Sequence, residues 1–368
     1  MVWGLAAAPA GAMSPRALDP RWVDPSLAPA LARACWAAGW SWLGEAADAP
    51  APGAYAPRTW APGALDEPVL LTRTADGALR ALSNVCTHRA ARLVDRPGAA
   101  ARLRCPYHGR RFSLDGQCVS SPGFEGVPGF PSAEDALPTL GLRVVGPLLL
   151  AALDPAVPAD AVERLSALLD GLPTADAVFS PAASEDPLVE AHWLLYVENY
   201  LEGMHIPFVH PALARAVDLG AYRIEASPGA VLQVAPAPAG GGPVLPLPVG
   251  HPLAGDGPLA AFYLWIFPGL MVNVYPWGLS INALEPLGPA RTRVRYRTLV
   301  WDPAARGAGA GADVGRTEAE DAAVVARVQS GIRSARYRPG RLAPAEAPGI
   351  GELHRAVAAA AAAAGITR

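Results

Sequence analysis

Cys86-Thr87-His88 and, after sixteen intervening residues, Cys105-Pro106-Tyr107-His108-Gly109 each place one thiol and one imidazole in a short stretch of chain. Two sulfurs and two ring nitrogens complete a [2Fe–2S] cluster in which one iron takes the cysteines and the other the histidines. The same four donors suit a tetrahedral structural zinc ion, and spacing alone does not separate the two. A second set lies downstream, in Glu198-Asn199-Tyr200-Leu201-Glu202-Gly203-Met204-His205-Ile206-Pro207-Phe208-Val209-His210. Two imidazoles with carboxylates nearby can hold a metal, although on this segment alone a pair of satisfied core histidines is as good a reading. Cys35 and Cys118 fall outside both sets and read as plain thiols.

These residues need elements to hold them. The apolar run 193–197 predicts a buried helix leading into Glu198. On such a helix Glu198 and Glu202 share a face with His205, whereas His210 falls roughly 140° further round at about 100° per residue. Pro207 removes the backbone donor that would bond back to Gly203, which predicts a break there that can turn both imidazoles to one point. The cysteine–histidine stretches each follow a predicted strand of a small antiparallel β domain. Its signals are runs 69–73 and 78–85 around Ala75-Asp76-Gly77, runs 112–114 and 117–119 around Asp115-Gly116, and closing strands near 142–145 and 148–153.

Ahead of that domain, residues 27–40 predict a helix beginning near Ser26, with Trp36, Trp40 and Trp42 to bury. Behind it, 155–187 reads as a linker holding one helix, 161–169. The histidine helix is followed by strands at 231–234, 260–267, 270–275, 279–284 and 292–301, then a helix over 317–337 and a loosely specified tail. In the last strand Arg291, Arg293, Arg295 and Arg297 alternate with Thr292, Val294, Tyr296 and Thr298, so a solvated arginine face is expected. The stretch 235–258 has 13 Gly or Pro among 24 residues and predicts an irregular loop, either a pocket lid or a surface excursion. His251 in that loop and His354 in the tail read as solvated, and His192 as a helix cap. Tyr263, Trp265 and Phe267 alternate on one strand face, as core residues or as a pocket wall.

Length and composition bound the rest. The 368 residues suggest about two domains, and a hydrophobic fraction of 51% excludes a disordered chain. The net charge of −3 gives no reason to expect nucleic acid; all 30 basic residues are arginine. The N-terminus lacks the basic and apolar regions of a secretory signal, and Met13 is an alternative start to Met1. No run of ~18 apolar residues occurs, and the alanine run 358–364 is too short to span a bilayer. A cytoplasmic protein without membrane attachment is expected, in which four cysteines are thiols or metal ligands rather than disulfides.

Residues 40–338 resemble the terminal oxygenase (α) subunit of the Rieske non-haem iron oxygenases. The resemblance rests on C-T-H-R, C-P-Y-H-G, E-N-Y-L-E-G-M-H-I-P-F-V-H and a late carboxylate, in that order and separation. Departures are Ala90 where the family has Gly, Arg110 where it has Trp, and His192-Trp193-Leu194 in place of N-W-K. The resemblance implies an α+β chain: an N-terminal all-β Rieske domain followed by a helix-grip catalytic domain, an antiparallel sheet packed with helices. The expected division is an extension with a helix over 1–40, the Rieske domain over 41–154, a linker over 155–187 and the mononuclear iron domain over 188–368.

In that reading Cys86, His88, Cys105 and His108 hold a Rieske [2Fe–2S] cluster, and His205, His210 and a carboxylate hold Fe(II). On the late helix Asp321 shares its spacing with Val324, Val325 and Val328 and so points inward, in preference to Glu318 or Glu320. The implied activity is O2-dependent hydroxylation or oxidative dealkylation of a small organic substrate. Electrons come from a separate ferredoxin or flavin reductase, with NAD(P)H acting only through that partner. Glu202 matches the carnitine- and betaine-type monooxygenases, where ring-hydroxylating enzymes carry Asp, and this favours monooxygenation. Trp265, Tyr275 and Trp277 could then cage a quaternary ammonium. An aromatic-ring dihydroxylating dioxygenase is the alternative, and an electron carrier or zinc protein a remote one. The family is also a homotrimer, in which Glu202 would link His205 to His108, or less favourably His88, of the next chain. Seven arginines against Asp95 in residues 86–111 would steer an acidic electron donor.

Overall fold

The computed structural model describes residues 15–46 and 50–366. The two candidate starts, Met1 and Met13, lie outside the described residues. The chain divides into two compact units, one over Trp40–Val157 and the other formed by the segments on either side of it. The helix α1 (Ala28–Ala37) and the segment from Pro158 therefore belong to the second unit instead of standing apart as extension and linker. The first helix also stops before Trp40, which opens a strand. At Gly39 a Cβ would stand 2.5 Å from the carbonyl oxygen of Phe267, so only glycine lets the chain leave the helix there.

The first unit is all β among its described residues, apart from one short 3-10 turn. Strands β1 (Trp40–Glu45), β2 (Ala54–Trp60), β3 (Glu67–Arg73), β4 (Leu79–Ser83) and β5 (Gly98–Ala99) are followed by β6 (Leu103–Arg104), β7 (Arg111–Phe112) and β8 (Cys118–Ser120). Strands β9 (Gly141–Val145) and β10 (Leu148–Ala152) close the unit. They form three antiparallel sheets, ordered β4-β3-β2-β5, β1-β10-β9 and β6-β7-β8. Leu70, Leu82, Leu103, Phe112 and Leu137 make a core into which the thiols of Cys86, Cys105 and Cys118 are also packed.

The second unit carries an eight-stranded antiparallel sheet with helices. After α2 (Asp160–Leu169) come the short β11 (Val178–Phe179) and β12 (Leu188–Val189), then α3 (Trp193–Tyr200), α4 (Ile206–Val209) and α5 (Pro211–Ala216). The remaining strands are β13 (Arg223–Ser227), β14 (Ala230–Pro236), β15 (Leu259–Ile266), β16 (Leu270–Tyr275), β17 (Gly278–Gly288) and β18 (Arg291–Val300), with α6 (Val314–Ile332) and α7 (Ala347–Ala363) after them. The order is β11-β18-β17-β16-β15-β14-β13, with β12 also on β18. Strands β15 and β16 are buried along their whole length, as continuous apolar runs covered on both faces must be.

Four expectations are corrected. The tail is not loose: Ile350, Leu353, Val357 and Ala361 lie on one buried stripe of α7, which packs against α1 and β13. His354 on that helix has Nε2 3.3 Å from Glu198, and His251 is buried, with Nε2 3.0 Å from the carbonyl of Leu168. The arginine face of β18 is paired, not merely solvated: Arg293 meets Glu285 at 2.8 Å and Arg297 meets Asp186 at 2.7 Å. The late helix ends at Ile332, and Val328 is exposed, so its buried line runs through Val325, Gln329 and Ile332.

Candidate metal centres

In the first unit the two cysteine–histidine loops are built alike. Cys86 N–H donates to Ala91 and its carbonyl accepts from Ala90 N–H, at 2.8 and 3.0 Å. Cys105 N–H donates to Arg110 and its carbonyl accepts from Gly109 N–H, at 2.8 and 3.1 Å. Each turn needs a left-handed residue four positions after the cysteine, which is Gly109 (φ 77°) in one loop and Ala90 (φ 55°) in the other. The substitution of Ala for the usual Gly thus keeps the loop geometry at the expense of backbone strain.

The loops bring the rings of His88 and His108 to 4.8 Å between centroids. The Nδ1 atoms of both are buried without a hydrogen-bond partner. Two orphaned imidazole nitrogens, in a unit where the buried thiols of Cys86 and Cys105 lie within hydrogen-bond reach of each other, are unfavourable without a partner and would be satisfied by metal. Burial raises the Cys86 thiol. At Cys105 burial acts the same way, but backbone N–H groups of Tyr107 and His108, with Cys86 and Arg110, outweigh it and lower the pKa. Burial, and then the charges of His108, Arg110 and Arg89, lower His88, which favours the neutral imidazole that a metal requires. This donor set fits a [2Fe–2S] cluster with two cysteines on one iron and two histidines on the other.

Arg110 is not on the surface. It is 3% exposed, lies 3.2 Å from both Thr87 Oγ1 and Asp135 Oδ1, and covers the rings of Phe124 and Phe130 at 5.3 Å. It braces the first loop, so a surface role in steering is corrected for this residue. Arg89, Arg92, Arg96, Arg102, Arg104 and Arg111 are exposed.

In the second unit α3 begins at His192, whose Nδ1 accepts from Leu194 N–H, and whose burial depresses its pKa to about 3. The helix ends at Tyr200, before Glu202, so the expected break at Pro207 occurs a turn earlier. Gly203 is packed against Tyr222, where a Cβ would meet the ring at 2.9 Å, and Pro207 opens α4 instead of ending α3. Glu202 closes the intervening turn. Its Oε2 accepts from Met204 N–H and His205 N–H, and its Oε1 lies 2.6 Å from His205 Nδ1. Glu198 is elsewhere, accepting from Leu18 N–H at 2.9 Å.

Asp321 comes from α6, more than a hundred residues away. Its Oδ1 lies 3.1 Å from His210 Nε2 and 3.5 Å from His205 Nε2, and the three ligand atoms fall within 4.8 Å of one another. Asn199 Nδ2 holds the same oxygen at 2.6 Å. Glu320 lies 2.8 Å from His210 Nδ1 and is itself held by Arg316 at 2.9 Å. Each histidine therefore turns Nε2 to the common point and gives Nδ1 to a carboxylate, the usual second layer around metal-bound imidazole. Burial lowers the His210 pKa, but Asp321 and Glu320 outweigh it and raise it. Two histidines and one carboxylate on one side of a cavity fit a non-haem Fe(II).

A pocket opens beside these three residues. Its walls include Tyr200, Tyr222, Tyr263 and Tyr275, with Glu318 and Gln233 as polar members, and no arginine lines it among the described residues. Burial keeps all four phenols protonated. Of the aromatic cage expected from the sequence only Tyr275 reaches the pocket. Trp277 stacks behind Tyr275 at 5.1 Å, and Trp265 points away, its Nε1–H donating to Pro268. No residue of 235–258 lines the pocket, so that loop is not its lid. The residues that sequence reasoning missed are Asn199, Tyr200 and Tyr222, and Glu320, weighed only as a ligand, instead supports His210. Asn273 and Asn282, polar residues inside otherwise apolar strands, were the available signal for a pocket on this side of the sheet.

Comparison with known proteins places both units in families. The family described as "Ring hydroxylating alpha subunit (catalytic domain)" matches residues 178–363, and the "Rieske [2Fe-2S] domain" matches 39–131. The chloroplastic choline monooxygenase of Arabidopsis thaliana is 28% identical over 301 residues, 77% of this chain and 69% of the relative. The carnitine monooxygenase oxygenase subunit of Escherichia coli K12 is 30% identical over 217 residues, 58% of this chain and 56% of the relative. The chain thus spans about two thirds of the length of the choline monooxygenases and somewhat over half of the carnitine subunit. A solved structure of the quaternary ammonium Rieske monooxygenase CntA with an inhibitor shares the fold, with a TM-score of 0.70 at 21% identity over 94% of this chain and 96% of that one. With both domains matched in order, this chain belongs to the ring-hydroxylating α-subunit family of Rieske oxygenases, among relatives of the carnitine and choline type.

Proposed function

We propose that this chain is an oxygenase component that monooxygenates a small quaternary ammonium compound. The observation that carries the proposal is the pocket beside His205, His210 and Asp321, walled by four tyrosines and free of basic residues other than the two histidines among its described lining. Phenol faces attract an ammonium group whose positive charge is spread over methyls, and a buried carboxyl strengthens the preference. An aromatic-ring dihydroxylating activity would instead be expected of an apolar pocket with few polar groups.

Cys86, Cys105, His88 and His108 would hold the [2Fe–2S] cluster, and His205, His210 and Asp321 the Fe(II). Iron bound there would supply O2 activation beside the substrate. The protein's part is positional. Glu202 and Glu320 accept from the Nδ1–H groups of His205 and His210 and so fix both tautomers, while Asn199 holds Asp321 in place. The tyrosine walls hold the substrate and exclude bulk water. The electron donor is a separate ferredoxin or flavin reductase, and the working form a homotrimer in which Glu202 bridges His205 to His108 of a neighbouring copy. Glu202 has lone pairs to spare for that second bond. A cytoplasmic setting agrees with four unpaired cysteines; among the described residues no helix is long and apolar enough to cross a membrane.

The test is product analysis with a surrogate reductase, NADH and O2, offering choline, carnitine, glycine betaine and naphthalene separately. Oxidation of a quaternary ammonium compound is expected. Turnover of naphthalene alone to a cis-diol would replace this reading with the dioxygenase one.

A further inference from the structure

Glu318 projects into the same pocket but is spoken for neither by the metal ligands nor by their supports. Its Oε1 accepts from Asn282 Nδ2 at 2.8 Å, and its Oε2 accepts from the Tyr196 hydroxyl. The direction of those bonds is set from further away. Tyr200 O–H donates to Asn273 Oδ1 at 2.8 Å, which leaves Asn273 Nδ2 to donate to Asn282 Oδ1 at 3.1 Å, and this turns Asn282 Nδ2 toward Glu318. Every donor in the chain from Tyr200 to Glu318 points the same way, an arrangement that suits a carboxylate.

The charges nearby do not balance that carboxylate. The two positive charges of a bound Fe(II) would be matched by Asp321 and Glu202, and Glu320 is paired with Arg316. No arginine lines the pocket among the described residues, and the groups around Glu318 are Tyr196, Asn282, Tyr275, Tyr296, Asp321 and His210. Burial, then Asp321, raises its pKa to about 7, so without a cation nearby the charge is poorly tolerated. A cation entering the pocket would correct this. A carboxylate entering with it would face the unbalanced Glu318 and find no arginine to pair with.

We infer that Glu318 is the specificity-determining counter-charge of this pocket, and that the site takes a monocationic ammonium compound without a carboxylate in preference to a zwitterion. The inference rests on the quaternary ammonium reading above and narrows it. Glu318 supplies the unit charge, and Tyr200, Tyr222, Tyr263 and Tyr275 supply the faces.

The experiment measures binding to the anaerobic holoenzyme by calorimetry, with choline, its neutral carbon isostere 3,3-dimethylbutan-1-ol, and L-carnitine. Wild type should bind choline at least about ten-fold more tightly than either of the others. Glu318→Gln should lose that advantage while binding the isostere as before, and Glu318→Asp should recover part of it. Unchanged iron content and melting temperature in both variants exclude a merely structural effect. Equal choline affinity in wild type and Glu318→Gln overturns the counter-charge. Carnitine binding as tight as choline overturns the exclusion of carboxylates. If wild type binds no ammonium probe at all, the quaternary ammonium reading falls as well, which separates the two failures.

Discussion

Glu320→Ala tests whether the carboxylate behind His210 tunes the iron. His210 is 1% exposed and Glu320 25%, so cutting Glu320 back leaves Nδ1–H at best a neutral water in place of a carboxylate acceptor. The 2.8 Å bond to Glu320 is charge-assisted, and burial leaves the ring with no substitute acceptor among its described neighbours. Removing such an outer partner weakens metal binding by about 10–100-fold, or about 1.4–2.8 kcal/mol. Glu320→Gln keeps an acceptor but loses the charge and the full pairing with Arg316, so it should fall between wild type and Glu320→Ala. The assay is anaerobic competition for Fe(II) against a coloured chelator, with the visible absorbance of the [2Fe–2S] cluster as an internal control that should not move. An iron affinity within about two-fold of wild type in Glu320→Ala would refute the reasoning, because a buried histidine ligand would then need no second partner.

Other outcomes follow from the same geometry. Ala90→Gly should stabilise the cluster unit by about 0.5–1 kcal/mol, since it relieves a left-handed alanine on a loop whose counterpart already has Gly109, and chemical denaturation monitored by cluster absorbance reads it. Arg89→Glu with Arg111→Glu should slow electron delivery at low salt without changing stability, while Arg110→Ala should cost about 2 kcal/mol of stability through the lost Asp135 pair; stopped-flow cluster reduction and denaturation separate the two. Glu202→Gln should leave both metals bound and slow reoxidation of the reduced cluster by O2 and substrate by orders of magnitude, and a wild-type rate in single-turnover kinetics would remove the bridge from the scheme. Iron affinity should weaken as the pH is lowered. The His210 pKa is raised, so protons begin to compete with the metal above the ordinary histidine range, and titration from about pH 8 to about pH 6 should show the loss.

What the sequence determines by itself is the chemistry whose geometry is local. Cys86 and His88, and Cys105 and His108, each sit on one turn closed by its own backbone, so their spacing already specifies the donor set. His205 and His210 are legible for the same reason, five residues apart. Asp321 is legible in part: the helical period places it inward, but its neighbours Glu318 and Glu320 also reach the site, one lining the pocket and one holding His210. Only tertiary structure decides among those three, because the packing of α6 against α3 and α4 is encoded in no local pattern.

The pocket was likewise beyond the sequence. Its tyrosines come from α3, the segment before β13, and strands β15 and β16, and alternation along a strand fixes which residues share a face without saying which face meets the metal. Nor does a shared face fix the position along the strand: Trp265 alternates with Tyr263 but lies outside the pocket, against Pro268. The early end of α3 was hidden too, since it depends on Tyr222 filling the space beside Gly203, a contact across nineteen residues. Helical order in the alanine-rich tail depends on burial against α1 and β13, for alanine favours a helix but supplies little apolar area of its own to announce where that helix will dock.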